Sequence, residues 1–355
     1  MYSLLQQTRF QLFVGAFLTG AVFACAFAGY STLRAVLGSD SKSIVYDATP
    51  GSKGDIYTIH SGGLIRIPFR LTTDDADECC AVWSPDGTRL AFLSYPANSN
   101  ADIHVMNADG SKEFRLTYSQ RDDRAPSWSP DGQSLVFQSN RAGNYEIFRM
   151  NIDGSGLTRL SRNPADDSVP VWSPAGDRVA FISNRNGYPE IFAISLEDGA
   201  EAEAASVSQG SVLRSSMPVW SPDGTRLAFV SSRDGNLEIY LADADGTGQP
   251  IRLTNSPKDD VLPAWSPDGT RIAFQSNREG NKEIFIASVN GAGEFNLTKN
   301  PAFDGNPAWS PDSTRIIFVS IRDSDRELYI AKADGSEIVQ LTNNTSDDDR
   351  PVWQP

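Results

Sequence analysis

Short apolar runs alternate with polar turns along most of this chain. One kind of run ends in an aromatic residue, as in Leu90-Ala91-Phe92, Leu135-Val136-Phe137 and Val179-Ala180-Phe181. A second kind opens with an acid, as in Glu146-Ile147-Phe148, Glu238-Ile239-Tyr240 and Glu327-Leu328-Tyr329. A Leu-Thr pair follows, as in Leu116-Thr117 and Leu297-Thr298. Each run is too short for an ordinary helix and rich in β-branched or aromatic residues, so each predicts a strand. Turn residues separate them. Ser-Pro-Asp-Gly suits a tight turn, because proline presets φ, aspartate bonds the local backbone and glycine tolerates the exit. Asp109-Gly110, Asp153-Gly154, Asp245-Gly246 and Asp334-Gly335 mark a second hairpin. The pattern predicts units of four antiparallel strands.

The units recur with a fixed period. Trp83, Trp128, Trp172, Trp220, Trp265, Trp309 and Trp353 are separated by 45, 44, 48, 45, 44 and 44 residues. Such a period means one supersecondary unit stacked many times. A single sheet cannot bury both of its faces, whereas sheets stacked radially cover one another with Trp, Phe, Ile and Leu; that is a β-propeller. The tryptophans are then packing residues. The order of landmarks is offset: the array starts at Ile44-Val45-Tyr46 and ends at Pro351-Val352-Trp353. Residues 42–82 fall three short of a 44-residue repeat, and residues 353–355 supply the difference. The expected fold is all-β, a seven-bladed β-propeller of four-stranded antiparallel blades over residues 42–355, preceded by an N-terminal apolar helix. Its C-terminal strand is expected to pair with the first blade, removing two free sheet edges. In a competing alignment, Val36–Asp40 forms a degenerate first strand and Trp353 is left without a blade.

Residues 10–28 carry no charge, and a helix of that length rises about 28 Å, close to the hydrocarbon thickness of a bilayer. Residues 1–30 therefore read as a retained signal anchor, as a signal peptide cleaved near Ala26-Phe27-Ala28, or as a lipoprotein leader around Cys25, with residues 31–41 as a linker. Each reading puts the remainder outside the cytoplasm, membrane-anchored, periplasmic or secreted. The net charge of −14 disfavours nucleic acid and anionic membrane surfaces and favours basic peptides and cations. With only His60 and His104, a multi-histidine metal site is not expected. Cys79 and Cys80 are adjacent and could bridge only as a strained ring. The chain contains no Gly-x-Ser-x-Gly elbow, no His-Glu-x-x-His and no phosphate-binding glycine loop.

Trp-Ser-Pro-Asp-Gly, followed by Ser-Asn-Arg-x-Gly-Asn-x-Glu-Ile-Phe and Leu-Thr, resembles the TolB-type propeller repeat, a WD-repeat-like unit, over residues 42–355. The resemblance implies extracytoplasmic protein–protein interaction. The sequence departs from TolB in having no separate α/β domain before the repeats, and in counting seven units where TolB has six blades.

Five residues before the tryptophans stands a recurring acid: Glu78, Asp123, Asp167, Asp260, Asp304 and Asp348. Arg214 and Ser215 break the series in the longest unit, and Asp77, Asp122, Asp166, Asp259 and Asp347 precede the acids in other units. Radial repetition would gather Glu78, Asp123, Asp167, Arg214, Asp260, Asp304 and Asp348 around one mouth of the channel. One reading is an acidic funnel for a basic peptide or for Ca²⁺, whose ligands are oxygens. In the other, each acid bonds its own loop or pairs with a nearby arginine. Arg141, Arg185, Arg233, Arg278 and Arg322 each precede a glutamate (Glu146, Glu190, Glu238, Glu283, Glu327) by five residues, and the expected partner of each arginine is that glutamate. The expectation for the whole is a non-enzymatic extracytoplasmic binding scaffold for protein partners, monomeric and without a cofactor other than Ca²⁺. The alternatives are a propeller lyase or hydrolase with a channel site, and a sensor of calcium or a small ligand.

Overall fold

The structure is a computed structural model that describes residues 42–51, 53–62, 66–97, 99–196, 204–210, 212 and 217–355. The apolar N-terminal segment, the linker, Arg214 and Ser215 lie outside the described residues.

Among the described residues the strands form seven antiparallel sheets of four strands each. In six of them the strands follow chain order from the inner edge outward. The seventh, here the first blade, takes its inner strand from the C-terminus: Asp347–Trp353 pairs with Ser43–Thr49, which pairs with Asp55–His60 and then Phe69–Arg70. The other inner strands, in blade order, are Asp77–Trp83, Asp123–Trp128, Asp167–Trp172, Val219–Trp220, Asp260–Trp265 and Asp304–Trp309. The architecture is a seven-bladed β-propeller.

Each repeat residue has one structural task. The second strand is buried on both faces: Phe92, Phe137, Phe181, Phe229, Phe274 and Phe318 are fully enclosed, and each ring meets an aromatic residue or histidine of the third strand 5.6–6.3 Å away. Apolar clusters then span neighbouring sheets, as where Ile191 and Tyr240 enclose Trp220 with Leu227. The Leu-Thr pair ends the outer strand after two or three residues. Its hydroxyl replaces a ladder partner by accepting the amide that follows the acid of the third strand, as in Ile56 N to Thr72 Oγ1 (3.0 Å), Ile103 N to Thr117 Oγ1 (3.0 Å) and Leu328 N to Thr342 Oγ1 (2.9 Å). The Ser-Pro-Asp-Gly turn closes on its own side chains: Ser84 Oγ donates to Asp86 Oδ1 at 2.5 Å, and Arg89 N donates to Ser84 Oγ at 2.9 Å. Gly87 leaves the turn at φ +66°, and Ser313 takes the same conformation at +59° in the seventh blade.

The tryptophans are buried and also stitch blade to blade. In six of the seven, the indole N–H donates to a carbonyl of the preceding inner strand, as in Trp128 to Val82 (3.1 Å), Trp309 to Ala264 (3.0 Å) and Trp353 to Ala308 (3.2 Å). Trp83 donates to Val352 at 3.1 Å and so ties the second blade to the closing strand. Trp172 is the exception: its indole N–H has no partner among the described residues, and it borders a 470 Å³ cleft with Arg149, Asp131 and Asp177.

Candidate functional site

The recurring acids lie at the start of the inner strands, where one blade crosses to the next. The outer acid of each pair caps the preceding blade. Asp77, Asp122, Asp166, Asp259 and Asp347 accept the amides of Gly54, Ala101, Tyr145, Leu237 and Arg326 at 2.7–3.1 Å. The amide of the next acid returns a bond to the carbonyl of that same capped residue, as in Glu78 to Gly54 (2.9 Å) and Asp348 to Arg326 (2.8 Å). The crossover is thus a two-way latch between blades.

The inner acids Glu78, Asp123, Asp167, Asp260, Asp304 and Asp348 are fully buried. Four of them face an arginine of their own blade: Asp123–Arg141 at 2.8 Å, Asp167–Arg185 at 3.2 Å, Asp260–Arg278 at 2.6 Å and Asp304–Arg322 at 3.0 Å. This corrects the expected Arg–Glu pairing. The arginine sits at the corner between the second and third strands and turns back to the inner strand. The glutamate faces outward, where Glu146 meets Arg159 and Glu238 meets Arg252. For the acidic-funnel reading, these six carboxylates have no solvent-facing surface, and a guanidinium occupies the ligand position at four of them.

Two acids have no such partner. Pro96 and Pro50 stand where the arginine stands in other blades. Burial, aided by the Asp74 carboxylate beside it, pushes Glu78 up to about 9. Burial and the nearby Glu327 charge push Asp348 up to about 7. A carboxyl raised on folding stabilises below its unfolded pKa, near 4, and that contribution is lost as pH rises through the folded value. Equilibrium urea unfolding should therefore show stability falling between pH 5 and 9. The double variant Glu78→Gln, Asp348→Asn should flatten much of that fall. An unchanged slope would refute the assignment. At lower pH the trend reverses, because the turn hydrogen bonds of Asp86 and burial-opposing bonds of Asp268 hold both carboxyls down to about 2.

The feature the sequence did not announce is a bulge in the middle of the inner strand. Three residues before the tryptophan, Cys80, Ala125, Val169, Leu262, Asn306 and Arg350 all have φ between +50° and +65°, and none is glycine. The ladder shifts register there, between Ser168 and Val171 in the fourth blade for example. Such conformations cost energy for ordinary side chains and re-aim them. Polar residues of the preceding blade's second strand hold the bulge: Asp47 accepts the amide of Cys80 (3.0 Å) and Gln138 that of Val169 (2.8 Å).

A constant backbone shape that gathers around the axis and latches neighbouring blades identifies a repeat class. The sequence matches the TolB beta propeller domain family over residues 72–163, 123–217 and 170–300, together more than half of the chain. The chain belongs to the TolB β-propeller family. Comparison with curated proteins returns no match. Among solved structures, this TolB-type propeller is similar to one assigned as TolB from Agrobacterium tumefaciens, at 26% identity and TM-score 0.51, over 65% of this chain and 84% of that one. It is also similar to TolB from Acinetobacter baumannii (18% identity, TM-score 0.57, 92% and 85% covered). Oligogalacturonate lyase from Vibrio parahaemolyticus is similar as well (13% identity, TM-score 0.60, 85% of each chain). The last two likenesses are of fold.

One bulge of this TolB-type propeller carries chemistry that the others lack. Cys80 of the second blade meets Asp47 and Arg350 of the first, and the sulfur of Cys79 lies within 4.8 Å of the Cys80 sulfur and an Asp47 carboxylate oxygen. Asp47 and Arg350 were not singled out in the sequence, because only ring closure brings residues 47, 80 and 350 together. Elsewhere on this face Asn306 Nδ2 donates to Asp349 Oδ1, and Arg326 Nη1 donates to Asp349 Oδ2 at 2.8 Å. His60 and His104 lie in different sheets, and His104 bonds Glu113 at 2.9 Å.

Proposed function

We propose that this chain is a non-enzymatic binding scaffold outside the cytoplasm, which docks a protein or peptide partner on the face where the bulged inner strands surround the axis. One observation carries this reading. Six positions with a single backbone role hold six different side chains, Cys80, Ala125, Val169, Leu262, Asn306 and Arg350, within repeats that otherwise agree closely. Variation under constant structural demand, on a partly exposed face, is the signature of recognition rather than of packing. Leu262 is 39% exposed, and Met217, at the matching position of the neighbouring blade, is 50% exposed. They offer an apolar contact within an acidic protein, which suits a partner with apolar and basic groups. The apolar segment 10–28 and membership of the TolB β-propeller family support the location.

The test is capture of partners from an envelope extract by the detergent-solubilised full chain, beside the double variant Met217→Asp, Leu262→Asp and the outer-strand control Ile251→Asp. The double variant should lose partners that the control keeps. Equal capture by all three proteins would refute this docking face. A second reading, a propeller enzyme with a channel site, is favoured by the convergence of Asp47, Cys79, Cys80 and Arg350 at one bulge.

A further inference from the structure

Successive side chains of an unbroken strand point to opposite faces. Cys79 and Cys80 escape that rule because the bulge falls on them, with Cys80 at φ +65°. Both sulfurs therefore lie beside Asp47, and the two sulfurs and a carboxylate oxygen of Asp47 are all within 4.8 Å of one another. Arg350 reaches across from the closing strand. Its Nη1 donates to Cys80 Sγ at 3.2 Å and to Asp47 Oδ2 at 3.0 Å. Both thiols are free and partly exposed. Both cysteines pack on one side against the apolar cluster of the second and third blades, and on the other Cys80 meets a guanidinium, the kind of contact that favours a thiolate.

We propose that Cys79 and Cys80 form a thiol–disulfide exchange site, with Cys80 as the nucleophile, Cys79 as the resolving thiol and Arg350 as the residue that positions and stabilises the Cys80 thiolate. The reactant class is a small disulfide, R–S–S–R. Cys80 S⁻ attacks one sulfur, forming Cys80–S–S–R and releasing RS⁻. Cys79 S–H then loses its proton as its sulfur attacks Cys80 Sγ, forming the Cys79–Cys80 disulfide and releasing the second R group as RSH. The protein gives up two electrons and the small disulfide becomes two thiols.

The surroundings suit that division of roles. The Cys79 thiol donating to Cys80, and then the Arg350 charge, hold the Cys80 thiol below its ordinary range, while the same contact and burial raise Cys79. The titratable and charged groups around the pair are Arg350 and Asp349 on the closing strand, Asp47 on the first blade's second strand, Asp77 on the cysteines' own strand and Tyr95 on the strand beside it. Asp47 opposes a thiolate by its charge, yet it accepts the Cys80 amide and anchors Arg350. Two sulfurs and a carboxylate would also suit a thiophilic metal ion, but Arg350 already bonds two of those three donors. Exchange chemistry is therefore the better fit.

The experiment treats the full chain carrying Cys25→Ser with a chromogenic aromatic disulfide and follows release of the aromatic thiolate against pH. The expected result is two equivalents released per chain and a product two hydrogens lighter, with no adduct. Adding Cys79→Ser should release one equivalent and trap the aromatic group on Cys80. Adding Cys80→Ser should slow the reaction at pH 7 by about tenfold or more, and adding Arg350→Gln should slow it about tenfold and move the rate midpoint to higher pH. Two stable adducts on the reference protein, unchanged kinetics in Cys80→Ser, or an unmoved midpoint in Arg350→Gln would each overturn the proposal.

Discussion

Removal of residues 347–355 is expected to unfold the whole propeller rather than fray one end. The segment is the inner strand of the first blade, and Ile44 pairs with Trp353, Val45 with Val352 and Ala48 with Asp348. It also contacts both neighbouring blades. Trp353 packs with Ile317, Val319 and Leu328 of the seventh blade and donates to the Ala308 carbonyl at 3.2 Å. On the other side, the Val352 carbonyl accepts from Trp83 at 3.1 Å, and Gln354 Nε2 donates to the Gly87 carbonyl at 2.8 Å. Cutting the strand away would expose the edge of Ser43–Thr49 and break both seams. Truncating a buried tryptophan alone costs about 3–5 kcal/mol, set against about 5–15 kcal/mol for a typical folded domain. Trp353→Ala should therefore lower stability by about that amount. Trp353→Phe should lose about 1–2 kcal/mol, since it keeps much of the packing but leaves the Ala308 carbonyl without its donor. Thermal unfolding followed by tryptophan fluorescence and circular dichroism checks this. A truncated chain melting at the wild-type temperature would mean that closure contributes nothing.

The fold was legible in the sequence because a period survives substitution. Landmarks agree from unit to unit, so seven four-stranded blades follow from counting them. Side-chain partners were less legible. Arg141 stands five residues from Glu146, yet the corner of the hairpin turns its guanidinium to Asp123, eighteen positions earlier. The true partner of the glutamate left a signal of its own: an arginine directly precedes the Leu-Thr or Leu-Ser pair at Arg70, Arg115, Arg159 and Arg252, and each bonds the acid of the third strand. The bulges left none. Left-handed backbone is ordinarily marked by glycine or asparagine, and here Cys80, Ala125, Val169, Leu262 and Arg350 adopt it under tertiary constraint. The Asp47–Arg350–Cys80 contact was hidden for a further reason, since it joins residues from both ends of the array and exists only once the ring has closed.

Arg141→Ala should destabilise the protein by about 3–5 kcal/mol, more than an exposed arginine could. Its Nη2 donates to both oxygens of Asp123 at 2.8 Å, its Nε donates to Ser139 Oγ at 2.9 Å, and the guanidinium lies over Phe137 and Phe148. Asp123 is fully buried, so the loss of the arginine strands a carboxylate away from water. Most of the cost belongs to that stranded charge rather than to the bond itself, which gives the double variant Arg141→Met, Asp123→Leu a distinct expectation: it should recover much of the lost stability. Arg141→Lys should fall between wild type and Arg141→Ala, because a lysine keeps the charge but not the planar fork. The fifth blade supplies an internal control. Ser215 replaces the acid there, and Arg233 donates to the Ser208 carbonyl at 2.7 Å and to Ser231 Oγ at 3.1 Å. Arg233→Ala should cost only about 1 kcal/mol. Urea unfolding of the four variants at pH 7, in low and high salt, decides the matter. Equal losses at Arg141 and Arg233, or a loss at Arg141 that disappears in salt as surface pairs do, would show that the buried carboxylates do not need their arginines.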